Sequence, residues 1–247
     1  MNNSSPQELP EIRLGGVKVW LSGAVPEPQY ESPDISRAFE VWSGSFQEQS
    51  ILGFVQEFSS LVFKFGGTLI HGCHPSLTPI LLEQAGKFQG STQEKHLKLA
   101  VSDYFEKGNA QDWKRWTSKA ELEIVPKTGE GKNDLDPSLS VLRKRMAKQC
   151  NAFVVIGGLW WKDVPGRAGI PKEFELAKEQ GVPCFVLGGF GGALASYIKD
   201  NKAWSKGLNN GLDEKENLRL AKEKDFVLVA GRLVAHLANL VDTEGKS

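Results

Sequence analysis

The sequence has no excess of either charge: thirty Lys and Arg stand against thirty Asp and Glu. A protein that binds duplex nucleic acid ordinarily carries a basic surplus to displace counterions from phosphates, so DNA and RNA are disfavoured as partners. Cysteine is scarce. Cys73, Cys150 and Cys184 are odd in number and widely spaced, and no CxxC pair occurs. That excludes a disulfide framework or zinc knuckle and suits a reducing compartment. No apolar run approaches the length of a membrane span. The opening residues MNNSSPQELPE lack the basic start and apolar stretch of a secretory signal. The expectation is a cytoplasmic protein with no membrane partner. GxSxG and GxxxxGK[ST] are absent, and the glycines after the first apolar run do not form GxGxxG. A serine hydrolase, a P-loop ATPase and a standard dinucleotide dehydrogenase all lose support.

What is present is a regular alternation. The 247 residues are enough for an ample core without staples. Residues 1–15 are polar and read as a flexible leader, and 16–247 read as a single domain with a C-terminal helical extension. Strands are predicted at 17–25, 68–71, 96–101, 121–125, 152–156 and 182–187 from apolar or alternating runs. Helices are predicted at 46–64, 77–87, 139–149, 171–180 and 227–240, with a short helix possible near 35–41. Ser76 or Thr78 could cap the second of these and Asp136 or Ser138 the third. The stretch 104–119, with Trp113 and Trp116, reads as a lid or surface helix. Strands alternating with helices predict an α/β, doubly wound, mostly parallel sheet with helices on both faces.

In such sheets ligands bind beyond the carboxyl ends of the strands. Four predicted strands end in small residues: Ser22-Gly23, Gly72, Gly157-Gly158 and Gly188-Gly189. Glycine lets a backbone approach a ligand, and a helix that follows offers unpaired amides to an anion. Glycines at these turns could equally serve tight turns alone. The strongest anion site is predicted at 166–170, with Gly166, Arg167, Gly169 and Ile170, ahead of the helix that contains Glu173. The second is predicted at Gly72 to Ser76, with His74 and Pro75. Arg167 could clamp a phosphate or be an ordinary solvated arginine. Glu173 could cap its helix or face the crevice and hold a ribose hydroxyl. His71, Cys73 and His74 are too tightly spaced for a closed tetrahedral metal site, so neither metal nor cofactor is expected. The tryptophans are read first as packing, although Trp160 and Trp161 adjoin the phosphate site and one could cover an adenine ring.

Four segments together resemble the SLOG superfamily: Val19-Trp-Leu-Ser-Gly23, Gly67 to Ser76, Ala152 to Gly158, and Pro165-Gly-Arg-Ala-Gly-Ile-Pro-Lys-Glu173. That group joins DNA-processing protein A, the "lonely guy" phosphoribohydrolases and nucleotide-sensing domains of bacterial conflict systems. The last segment is similar to the family signature P-G-G-x-G-T-x-x-E, with Arg167 in place of the second glycine and Ile170 in place of the threonine. The loop Gly72-Cys-His-Pro-Ser76 differs from the phosphoribohydrolase G-G-G-x-x-G-x-M and looks more like the defence-associated sensor branch.

The resemblance implies a Rossmann-like fold and a nucleotide ligand. The leading expectation is a sensor of a nucleotide-derived signal, such as a cyclic or modified ADP-ribose or NAD-related molecule, in bacterial antiviral defence. The anion would rest on 166–170 and 72–76 with Arg167 as cation, Glu173 would hold a ribose, and Ser22, Gly23, Gly157 and Gly158 would border the ligand. The alternative is hydrolysis of a nucleotide N-glycosidic bond, with Glu173 and Arg167 catalytic. A homo-oligomer and an effector protein are the partners this implies.

Overall fold

The computed structural model describes residues 12–25, 47–89, 94–129, 135–158 and 169–244. Within them the chain runs β1 (Lys18–Ala24), α1 (Glu48–Lys64), β2 (Thr68–His71), α2 (Thr78–Phe88) and β3 (Leu97–Ser102). A short 3-10 turn, Asp103–Phe105, leads into α3 (Glu106–Trp116), β4 (Glu121–Val125), α4 (Leu135–Ala147) and β5 (Ala152–Gly157). Then come α5 (Gly169–Glu179), β6 (Cys184–Leu187), a second 3-10 turn at Gly188–Phe190, α6 (Gly192–Asp200), α7 (Glu214–Lys222) and α8 (Phe226–Glu244). The predicted short helix near 35–41 and most of the leader lie outside the described residues.

The strands form one six-stranded sheet in the order β4-β3-β2-β1-β5-β6, and every pairing is parallel. Parallel neighbours need crossover helices, which cover both faces, so the central strands are apolar on both sides. Every residue of β5 is buried, and so are all but the first of β1. Alternate side chains feed two cores. Val19, Leu21, Val154, Ile156, Phe185 and Leu187 meet α1, α2 and α8 on one face. Trp20, Phe153, Val155, Cys184 and Val186 meet α4, α5 and α6 on the other. Trp20 and Phe153 pack edge to face at 4.6 Å, an arrangement favoured by the ring quadrupoles.

The chain leaves β1 in one direction to build β2, β3 and β4, then returns to build β5 and β6 on the other side. β1 and β5 therefore flank the topological switch point, where the connecting chains part and a crevice opens at the carboxyl ends. The β6 edge is sealed rather than open: Cys184 N–H donates to Leu208 O (2.7 Å), and the buried Asn210 amide donates to Cys184 O (2.7 Å). This protects an otherwise exposed edge.

Several local expectations shift. Helix α4 begins four residues before the predicted start, so Asp136 and Ser138 lie inside it rather than capping it; the Ser138 hydroxyl accepts from Thr128 N–H at 3.0 Å. Helix α2 has no side-chain cap, because Ser76 turns to Val25 N–H (3.1 Å) and the Thr78 hydroxyl donates to His74 O (2.8 Å). Helix α5 starts at Gly169, placing Pro171 in its first turn, where a missing N–H is tolerated. Among the described residues no helix is long and apolar enough to cross a membrane.

Candidate functional site

A cavity of about 440 Å³ opens at the carboxyl ends of β1 and β2, within the range of small-molecule sites. Strand β1 contributes Ser22 and Gly23, the turn after β2 contributes Gly72, His74 and Pro75, and α5 contributes Gly169, Ile170 and Glu173. These expected residues come together although their segments are far apart in sequence. Ser76, Gly157 and Gly158 do not line the cavity, and Gly166 and Arg167 lie outside the described residues.

Glu173 organises the polar end. It sits one turn into α5, past the first turn where a capping carboxylate would stand. Its Oε2 accepts from the Ser22 hydroxyl at 2.6 Å, and its Oε1 accepts from Arg143 Nε at 3.0 Å. The pair is largely sheltered, with 12% of the Arg143 side chain and 18% of the Glu173 side chain exposed. Gly169 makes room for it: a Cβ there would stand 3.0 Å from an Arg143 Nη atom.

Arg143 stands with Lys144 and Lys148 in a basic stretch at the C-terminal end of α4 and is not among the residues predicted for the site. A signal was available, because Leu139, Arg143 and Met146 follow the i, i+4, i+7 spacing of an inward stripe. An arginine on such a stripe is aimed inward. Leu139 and Leu142 line the cavity beside it. Trp113 and Trp116 were likewise taken first as packing. They project from the otherwise polar α3 and, with Phe105 and Val101, form an apolar wall of the cavity. Trp113 is 4% exposed and Phe105 37%.

The turn after β2 is tied to itself. His71 is buried; its Nδ1–H donates to Leu21 O (2.9 Å) and its Nε2 accepts from His74 N–H (3.2 Å). His74 Nδ1 accepts from Ser76 N–H (3.3 Å) and from the Ser76 hydroxyl (2.8 Å). The amides of Leu77 and Thr78 donate to His74 O. At the expected anion site, Gly72 to Ser76, the N–H groups of His74 and Ser76 are thus engaged inside the turn. Burial lowers the pKa of both imidazoles, that of His74 to about 4, with His71 adding to the effect on His74. Cys73 holds a left-handed φ of 59°, and burial pushes its thiol up to about 12, which disfavours the thiolate.

The glycines after β5 serve packing instead. Gly157 and Gly158 have positive φ, and a Cβ on them would strike Ile51 and Ala24 O, or Ile170 at 2.2 Å. Gly188 and Gly189 are covered by Ile198 and by the backbone of Lys222 and Glu223. Neither pair lines the cavity, whose described walls come from the ends of β1, β2 and β3 together with α3, α4 and α5.

A parallel sheet covered by helices on both faces, with an aromatic and carboxylate-bearing cavity at its carboxyl edge, defines a doubly wound, Rossmann-like domain. Residues 91–201 match the family model described as SLOG cluster2, which supports membership of the SLOG superfamily. The matched span contains Trp113, Trp116, Arg143, Gly169 and Glu173, whereas Ser22, Gly72 and His74 precede it. No curated protein matches the chain in sequence.

Proposed function

We propose that the chain binds a nucleotide-derived small molecule in this crevice, with the ligand's ribose on Glu173. The supporting observation is the Glu173 carboxylate, sheltered in the cavity and fixed from two sides by Ser22 and Arg143. A carboxylate offers about four acceptor sites. Ser22 and Arg143 engage different oxygens, so each oxygen keeps capacity for one of two adjacent sugar hydroxyls. Phosphate would meet the N-terminal amides of α5, where the helix dipole favours an anion, with Gly166 and Arg167 in the preceding segment. The ligand class we favour is a cyclic or modified ADP-ribose or NAD-related signal. The role is that of a cytoplasmic sensor in bacterial antiviral defence, acting as a homo-oligomer on an effector protein. The match to SLOG cluster2 supports a nucleotide-related ligand.

Calorimetric titration with AMP, NAD, ADP-ribose and cyclic ADP-ribose tests the reading. At least one should give saturable heat, and Glu173→Gln should weaken it by roughly tenfold or more, the loss of one or two charge-assisted hydrogen bonds. Arg143→Ala should do the same by releasing the carboxylate from its position. Silence from every nucleotide overturns the proposal.

The same carboxylate supports a second reading, an N-glycosidase in which Glu173 stabilises positive charge developing at C1′. Free base released by the wild type and not by Glu173→Gln would select it; binding without turnover would select the sensor.

A further inference from the structure

We infer that the two tryptophans of α3 form the subsite for the ligand's base, so that α3 is the element that reads an aromatic heterocycle attached to the ribose. This rests on the nucleotide reading above and adds the side chains that would recognise the base. The placement of the apolar lining is the first ground. Trp113 and Trp116 stand three residues apart on α3 and share one face of it. Both line the cavity, together with Val101 from β3 and with Leu139 and Leu142 from α4. Trp113 and Val101 are buried, yet neither belongs to either of the two cores that flank the sheet. Their apolar surface is gathered around the cavity instead.

The indole N–H groups give the second ground. A buried tryptophan ordinarily finds an acceptor for its N–H. Among the described residues neither Trp113 nor Trp116 has a side-chain hydrogen-bond partner, and no side-chain nitrogen or oxygen is both sealed from solvent and unpartnered. Both donors therefore stay accessible. The wall thus combines flat apolar faces with N–H donors at their edges. A purine or pyrimidine answers both, since its face stacks on aromatic side chains and its ring nitrogens or carbonyl oxygens accept hydrogen bonds. An aliphatic chain would cover the faces and leave the donors unmet.

The position of the wall gives the third. Ser22, which holds Glu173, lies near the end of β1, and Val101 lies near the end of β3. Only β2 stands between these strands, so they are about 10 Å apart at the ordinary strand spacing. A base carried on C1′ reaches across such a gap from a ribose seated on Glu173. The tryptophans stand where that base would lie.

The test is titration of the full chain, followed by tryptophan fluorescence, with AMP, NAD, ADP-ribose and cyclic ADP-ribose beside ribose 5-phosphate, which lacks the base. At least one of the four nucleotides should bind, change the emission at saturation, and bind at least about tenfold more tightly than ribose 5-phosphate. Trp113→Leu, which removes both the ring face and the donor, should weaken that nucleotide by roughly tenfold or more and leave ribose 5-phosphate unchanged. Trp113→Phe, which keeps a ring without the N–H, should fall between. Trp116→Leu repeats the measurement at the less buried indole should the Trp113 variants lack a wild-type melting transition. A purely structural role would weaken nucleotide and ribose 5-phosphate alike. That outcome, or wild-type nucleotide affinity in the folded leucine variants, overturns the inference, while loss of binding in Glu173→Gln keeps the nucleotide reading standing. If none of the four nucleotides binds the wild type, both fall.

Discussion

At the carboxyl ends of β5 and β6 the glycines are filled in by the protein itself, while at those of β1 and β2 they border a cavity. Gly158 faces Ile170 and Ala193, and Gly189 faces the carbonyl of Glu223. Among the described residues, a Cβ on Gly72 would meet only the thioether end of Met146. Gly23 lies between: it lines the cavity, yet a Cβ on it would stand 2.9 Å from Ile156 and 3.2 Å from Leu77. The four turns look alike in sequence because glycine serves both ends. It lets a helix or loop close over a strand, and it lets a ligand approach. What separates them is the next layer. Helices α6 and α7 follow β6 and fold back over its end, whereas Glu173, Arg143 and the tryptophans stand around the open ends without filling them.

The sharpest way to break this comparison is to add one carbon at the closed end. In Gly189→Ala the new Cβ would lie 2.1 Å from Glu223 O, an overlap with backbone that no rotamer relieves. The expected cost is roughly 3 kcal/mol or more, read as a lowered urea midpoint at unchanged slope. A loss under about 1 kcal/mol would mean that the β6 end is as loosely built as the β2 end.

The layered architecture was legible because periodicity is written locally. The alternation of apolar runs and amphipathic stretches placed all six strands, and the run Ala152 to Ile156 needed no context. Glu173 and Ser22 were legible as candidates because each sits at a predicted strand end or helix start. Their mutual contact was not, since 151 residues separate them and only the parallel order of β1 and β5 brings their elements together. Arg143 was hidden for a different reason. Its neighbours Lys144 and Lys148 suggested a solvated face, and only the stripe through Leu139 and Met146 betrays that one cation of the group points inward. In the turn after β2 the run Gly-Cys-His-Pro-Ser does not reveal that the imidazoles of His71 and His74 accept the N–H groups of His74 and Ser76.

That self-bonded turn offers the next test of the open end. His74 has its pKa lowered by burial from the ordinary 6.5 to about 4, with His71 contributing. In the unfolded chain it takes a proton below about pH 6.5, and in the fold it resists doing so until about pH 4. The unfolded state thus binds more protons in that window, and stability falls as pH drops through it. The full shift corresponds to about 3 kcal/mol; His74 reaches the surface, and solvent screening trims this to about 1–2 kcal/mol. His71 shifts in the same direction. Denaturant unfolding of the wild type and of His74→Asn between pH 7 and pH 4 isolates the effect, because carboxylate titrations are common to both. The wild type should lose stability relative to the variant as the pH falls. Parallel profiles would show that the ring is not held neutral by the turn.

The smallest expected effect is at Gly72, and it decides whether the β2 end is open in the sense argued above. A Cβ there meets Met146 Cε at 3.4 Å and Sδ at 3.8 Å, ordinary contact distances against a flexible side chain. The backbone at Gly72 is not among those with positive φ, so alanine fits without strain and restricts the unfolded chain. Gly72→Ala should therefore leave stability within about 0.5 kcal/mol of wild type or raise it slightly. Since Gly72 lines the cavity, a methyl group there narrows the space for a ligand while leaving the fold intact, so nucleotide affinity should fall with no change in the urea midpoint. A drop in stability above about 1 kcal/mol would place Gly72 with Gly189, as a residue fixed by packing, and would remove the distinction between the two ends of the sheet.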